Sequence, residues 1–180
     1  MAGRSALVSG TDTALKATVT DRLAADGFAA VSAADDRLDA LVHLVGAPAP
    51  GPFVGTDPAR WYAEVTAGIT PAFRAARAAV PGLRRSPAGR IVFVGAGWLP
   101  ADRPDSTAAA ALHGALVAMT KTLARDLGPD GITVNQVVVD PADPADPATI
   151  AAAVSYLCRP EAGAVVGQLL MVGRGGPVRP

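Results

Sequence analysis

Short apolar segments and longer amphipathic ones alternate along this chain, and few architectures satisfy that pattern. Ser5–Ser9, Leu38–Val45, Ile91–Gly95, Ile132–Val139 and Val165–Val172 are strand-length runs separated by glycine, proline or polar turns. Between them lie helical stretches: about Ala14–Asp26, stopped by Gly27; Pro58 to Val80, ahead of Pro81-Gly82; Thr107–Leu127, opened by Asp105-Ser106; and Ala148–Cys158. Pro71 should bend the second of these. The stretch Asp140-Pro-Ala-Asp-Pro-Ala-Asp-Pro147 reads as an extended polar loop. Ile132–Val139 is too apolar to sit with one face in water. Alternating strands and helices around such a strand predict an α/β fold, with a parallel sheet covered by helices on both faces.

With 180 residues, half of them hydrophobic and 18% charged, residues 1–180 are expected to form a single domain with a sizeable core. Sixteen basic residues balance sixteen acidic ones, which leaves no electrostatic footprint for nucleic acid or for an anionic membrane surface. Cys158 is the only cysteine, so no internal disulfide can form. The start runs into a strand rather than a secretory apolar region, and no uncharged apolar run reaches the ~18 residues of a spanning helix. A cytoplasmic protein, with neither nucleic acid nor membrane as a partner, is expected.

Several framing residues occur in a telling order. Trp61, Ile69-Thr70 and Phe73 precede Ala88-Gly-Arg-Ile-Val92. Thr120-Lys-Thr-Leu-Ala-Arg-Asp-Leu-Gly128 and Gly131-Ile-Thr-Val-Asn135 follow, and Gly167-Gln-Leu-Leu-Met-Val172 leads to Gly175-Gly176. In this order and spacing the chain resembles the short-chain dehydrogenase/reductase (SDR) family almost from end to end. The resemblance implies a three-layer Rossmann-like sheet, shortened here in its first half. It also places Ala96, Ala109, His113 and Gly68 where the family keeps its catalytic Ser, Tyr, Lys and Asn.

The cofactor site departs from the family as well. A phosphate-cradling first turn needs glycines so that backbone and helix N-terminus can approach the pyrophosphate. Here Ser9-Gly-Thr-Asp-Thr-Ala-Leu-Lys16 keeps Gly10 but has Ala14 and Lys16 at the other two glycine positions, and Asp12 adds negative charge. Lys16 can bind a phosphate, although a solvated first-turn lysine is the plainer reading. The family places a strand, a helix, another strand and a further helix between the first helix and the strand at Leu38. This chain has only Phe28-Ala-Ala-Val31 as a strand and then Ser32 to Leu38. A parallel crossover needs about a dozen residues, so at most one extra strand fits. Asp35 or Asp36 can be imagined gripping a ribose, but an acidic pair in a loop is ordinarily solvated. No nicotinamide cofactor is expected.

Composition alone removes the family's chemistry. The only tyrosines are Tyr62 and Tyr156, followed four residues on by Thr66 and Pro160, so no Tyr-x-x-x-Lys exists. Asn135 is the only asparagine and lies in a strand. No phenol is placed to protonate a carbonyl oxygen. His43, in Val-His-Leu-Val-Gly46 at the exit of its strand, and His113 are the only histidines, and both fall at positions where the family has site residues. They are the candidate catalytic pair for a non-redox isomerisation, dehydration or cyclisation. Against this, His113 lies on the shoulder of an apolar stripe of Leu112, Leu116, Met119, Leu123 and Leu127, where a structural imidazole is ordinary. Ala96, Ala109, Gly68 and Gly95 leave that wall without polar groups. Two histidines without a third ligand make a poor metal site, so no metal is expected. Cys158 reads as a small buried hydrophobe, Trp98 as a pocket lining or cap, and Ser106 and Thr107 as helix capping.

Three functions remain open on these residues. One is a non-catalytic SDR-like subunit, structural or regulatory, that pairs with itself or with an intact relative. Its contacts would run through the two long helices, where Ala75, Ala76, Ala79, Ala111 and Ala115 allow close approach. The second is a repurposed non-redox biosynthetic enzyme using His43 and His113, with a small hydrophobic ligand. The third is an atypical oxidoreductase. The first is preferred.

Overall fold

The structure, a computed structural model, describes residues 3–33, 37–97, 107–139 and 145–173. In chain order the elements are β1 (Arg4–Gly10), α1 (Thr13–Ala25), β2 (Phe28–Ala30), β3 (Ala40–Val45), α2 (Pro58–Leu83), β4 (Arg90–Ala96), α3 (Thr107–Leu127), β5 (Thr133–Val139), α4 (Pro147–Cys158) and β6 (Leu169–Val172). All strands pair in parallel, in the order β2-β1-β3-β4-β5-β6. Side chains alternate across each strand, so the sheet has two apolar faces. Ala6, Val42, Leu44, Val92, Val94 and Val137 pack with residues of α1 and α4. Leu41, Ile91, Phe93 and Val134 pack with residues of α2 and α3. This is the expected Rossmann-like architecture with helices on both faces.

Local chemistry starts the helices where the sequence predicts. Asp12, Asp57 and Asp146 cap α1, α2 and α4 with their carboxylates, and Pro58 and Pro147 occupy first turns. The ends differ more. α2 does not stop before Pro81 but runs through it to Leu83, because Gly82 and Leu83 are buried and Gly82 O accepts from Leu38 N. Tertiary packing there overrides proline's local preference. Leu38 is thereby held outside β3, which begins at Ala40. The last strand is four residues long rather than eight. Gly167 has φ +65°, and the Asn135 side chain holds Val165 O and Gln168 N in place of a regular ladder.

The buried face of α3 is rotated from the expected stripe. Leu112, Leu116 and Leu127 are buried as predicted, but Thr120 and Ala124 join them in place of Met119 and Leu123, which are only partly covered. Small residues face the sheet because helix and sheet approach closely there. Thr107 opens α3, and its hydroxyl accepts a hydrogen bond from Trp61 Nε1 at 3.1 Å. The first half is short, as expected. β2 has three residues, and β3 lies on the other side of β1 from it. Asp35, Asp36, Trp98, Asp105-Ser106, residues 140–144 and Gly175-Gly176 lie outside the described residues. No helix among the described residues is long and apolar enough to cross a membrane.

Candidate functional site

Strand order reverses between β1 and β3, and the C-terminal ends of these strands are where such sheets bind ligands. Two cavities open there, on opposite faces of the sheet. On the α2/α3 face a small cavity of about 10 Å³ is bounded by Val45, Gly95, Ala96, Ala109, Leu112 and His113, among others. It has room for about one water molecule. The structure thus gathers Ala96, Ala109 and His113 around one point, while Gly68 stands behind Leu112. A Cβ at Gly68 would lie 2.4 Å from Leu112 Cδ2. Leucine therefore fills the space that a longer side chain at position 68 would need.

The two histidines are not brought together. His43 is 5% exposed and stands in mid-strand rather than at the strand's exit, with two further residues of β3 beyond it. Ser9, its register partner on β1, places Oγ 2.8 Å from His43 Nδ1. His43 shares a face with Val45 but sits one layer deeper, and it lines neither cavity. Burial depresses the pKa of both imidazoles. His113 Nδ1 is buried without a hydrogen-bond partner among the described residues.

Gln136 was not singled out by sequence. It is fully buried on β5, and neither its Nε2 nor its Oε1 has a partner among the described residues. Two consecutive amides, Asn135-Gln136, inside a strand that is otherwise almost entirely valine were the available signal.

On the α1/α4 face a larger cavity, about 510 Å³, is lined by Ala14, Leu15, Leu44, Val94, Val139 and Ile150, with Asp12 and Asp146 among the remaining residues. Gly10, at φ +111°, ends β1 beside it, and a Cβ there would fall 2.0 Å from Leu44 O. Gly10 is thus required by the approach of β1 to β3, whatever the turn binds. Ala14 lines the cavity and Lys16 does not.

The other polar groups near the sheet are structural. Asp26 accepts hydrogen bonds from Ser155 and Arg22 and pairs with Arg159, which ties the end of α1 to the end of α4. The Ser155 bond first, then Arg22 and Arg159, hold its carboxyl well below the usual range. Burial works against ionisation of Asp39, but bonds from Ser86, Arg37 and Ser5 outweigh it and lower its pKa. Asn135 is fully engaged with residues 165 and 168. Cys158 is 2% exposed, and burial pushes its thiol up to about 12. Among the described residues no group of acidic, histidine or cysteine side chains could hold a metal ion.

The fold and its switch-point crevice define a doubly wound, Rossmann-like α/β protein. The family model for enoyl-(acyl carrier protein) reductase matches residues 5–145, and the chain belongs to this branch of the SDR family. It is 26% identical over 161 residues to the 3-oxoacyl-[acyl-carrier-protein] reductase FabG of Vibrio harveyi, covering 77% of this chain and 66% of that protein. It is 34% identical over 140 residues to the (2S)-[(R)-hydroxy(phenyl)methyl]succinyl-CoA dehydrogenase subunit BbsC of Thauera aromatica, covering 77% of this chain and 54% of the relative. The chain thus spans at most about two-thirds of these curated relatives. The acetoin dehydrogenase of Enterobacter cloacae shares the fold with a TM-score of 0.82 at 21% identity, covering 94% of each chain. A short-chain dehydrogenase/reductase from Serratia marcescens aligns with a TM-score of 0.82 at 25% identity, over 94% of this chain and 95% of the other.

Proposed function

We propose that this chain is a non-catalytic SDR-like subunit that assembles with itself or with a catalytically complete relative. The observation that carries the reading is the small cavity itself. Ala96, Ala109 and Leu112 present hydrocarbon where carbonyl reduction requires a group that protonates oxygen. His113 is its only titratable lining residue among the described ones, and Leu112 occupies the space beside Gly68. The first turn argues in the same direction, with Asp12 capping α1 where a pyrophosphate would sit.

Assembly is supported by the outer face of α2 and α3. Phe73 is 50% exposed there, beside a groove of about 360 Å³ lined by Val80, Pro81 and Leu123 and edged by Arg77 and Arg84. Exposed apolar grooves of this kind mark contact surfaces. Ala76 and Ala79 are buried inside the subunit, so Ala75, Ala111 and Ala115 remain as the small residues for close approach. One relative is named as a subunit of a dehydrogenase, which fits a divided enzyme. Residues 1–180 acting as one cytoplasmic domain complete the proposal.

A second reading, acid–base catalysis without nicotinamide, draws on the unpartnered His113 Nδ1 beside the cavity. It is weakened by the exclusion of His43 from that cavity.

The tests are direct. Titration calorimetry should show negligible binding of NADH and NADPH, and a micromolar dissociation constant would overturn the cofactor-free reading. Sedimentation should show a dimer or a complex with an intact SDR, lost in Phe73→Asp. A stable wild-type monomer that needs no partner would count against the subunit role. His113→Ala and His43→Ala should leave the activity of a partner complex within a few-fold. A loss of ~100-fold in folded, assembled variants would promote the catalytic reading.

A further inference from the structure

The larger cavity keeps the size of a small-molecule site. About 510 Å³ falls within the usual range for ligand pockets, and its walls are chiefly hydrocarbon. Its charge is opposite to what a dinucleotide requires. A helix N-terminus carries roughly half a positive charge, which is why phosphates settle there. Here α1 and α4 both carry an aspartate at that end. Asp12 Oδ1 accepts from Leu15 N at 3.0 Å, and Asp146 Oδ1 accepts from Ala148 N at 3.0 Å. A full negative charge on each helix end leaves that end net negative by about half a charge. The second oxygen of each carboxylate has no partner among the described residues, and the described lining contains no Lys, Arg or His.

From this geometry we infer that the cavity binds a small apolar molecule carrying a protonated amine. Its hydrocarbon portion lies against Leu15, Leu44, Val94, Val139 and Ile150. Its ammonium, a three-hydrogen donor, lies at the rim, which carries the carboxylates of Asp12 and Asp146. An anion of the same shape meets net negative charge, and a neutral analogue gains only the apolar burial. The inference is independent of whether the chain pairs, because the lining residues belong to one subunit and lie on the face opposite the α2/α3 groove.

The test uses the full chain at neutral pH and low salt, with n-heptylamine, n-heptanol and heptanoate as calorimetric probes. The amine should bind most tightly, the alcohol about 3–10-fold more weakly, and the carboxylate most weakly of the three. Asp12→Asn and Asp146→Asn keep a competent helix cap while removing the charge. Each should bring the amine towards the alcohol without lowering the melting temperature appreciably. Ala14→Phe, at an exposed lining position, should weaken the binding of all three probes by taking up part of the cavity. Equal binding of the three probes, no binding by any of them, or an amine preference that survives both Asn variants would overturn the inference. Undiminished amine binding to Ala14→Phe would place the site elsewhere and also overturn it.

Discussion

The two cavities at the strand ends share Val45, Gly46, Ala47, Gly95 and Ala96, yet one holds about 10 Å³ and the other about 510 Å³. The difference lies in what bounds them. On the α2/α3 face the boundary is made of side chains, with Leu112 and Leu116 packed beside Gly68, Gly95, Ala96 and Ala109. On the α1/α4 face the space is backbone space. It is set by the reversal of strand order and by two helices whose far ends are clasped through Asp26. Losing functional groups can close a pocket made of side chains. It cannot close a crevice made by topology.

The largest effect expected from breaking this contrast comes at Gly10. Gly10→Val places a branched side chain at φ +111° and into Leu44 O, so β1 and β3 must separate. A loss of about 4 kcal/mol or more is expected, enough to leave much of the chain unfolded. Urea denaturation followed by circular dichroism reads it, and a near-native midpoint would refute the role given to the β1–β3 approach.

On the closed side, Leu112→Ala should reopen the small cavity and destabilise by about 2–5 kcal/mol. Gly68→Asn alone should cost about 1–3 kcal/mol through its clash with Leu112. If Leu112 is what fills this space, that penalty should largely vanish when both changes are combined, and a double-mutant cycle measures the coupling.

A smaller effect is expected at the clasp on the open side. The folded-state pKa of Asp26 is depressed, so its stabilisation is fully present above the unfolded value near pH 4 and is lost as pH falls below it. Asp26→Asn should lower stability at pH 7 by about 1–2 kcal/mol and flatten the acid limb of the stability curve. An unchanged acid limb would mean that the α1–α4 clasp is not charge-dependent. Least perturbing is Cys158, whose thiol is buried in the same face with a pKa of about 12. A chromogenic disulfide reagent at pH 8 should react with it only at the rate of unfolding, and rapid reaction in the native state would show that this face opens locally.

Much of this was legible in the residues. The order of strands and helices followed from apolar periodicity, and the helix starts near Ala14, Pro58, Thr107 and Ala148 lay within a residue of those observed, although the capping roles of Asp12, Asp57 and Asp146 emerged only in the structure. The missing β–α unit was readable because Phe28–Val31 and the short stretch after it leave no room for one. Helix and strand ends were less legible. Leu38, Pro81 and Val165 changed assignment because their neighbours are contributed by segments distant in the chain. The burial face of α3 turned for the same reason, since the sheet selects Thr120 and Ala124 for their size.

What the sequence by itself determined is the parallel α/β layering and the absence of a Tyr-x-x-x-Lys pair. The first rests on periodicity and the second on residue identity, and neither depends on how distant segments meet. Only the tertiary structure decided that His43 turns to Ser9 and stays out of both cavities. The same holds for Leu112 in the space beside Gly68 and for the open crevice between α1 and α4. Each of these depends on strand register and helix docking, where a shift of one residue would send a side chain to the opposite face.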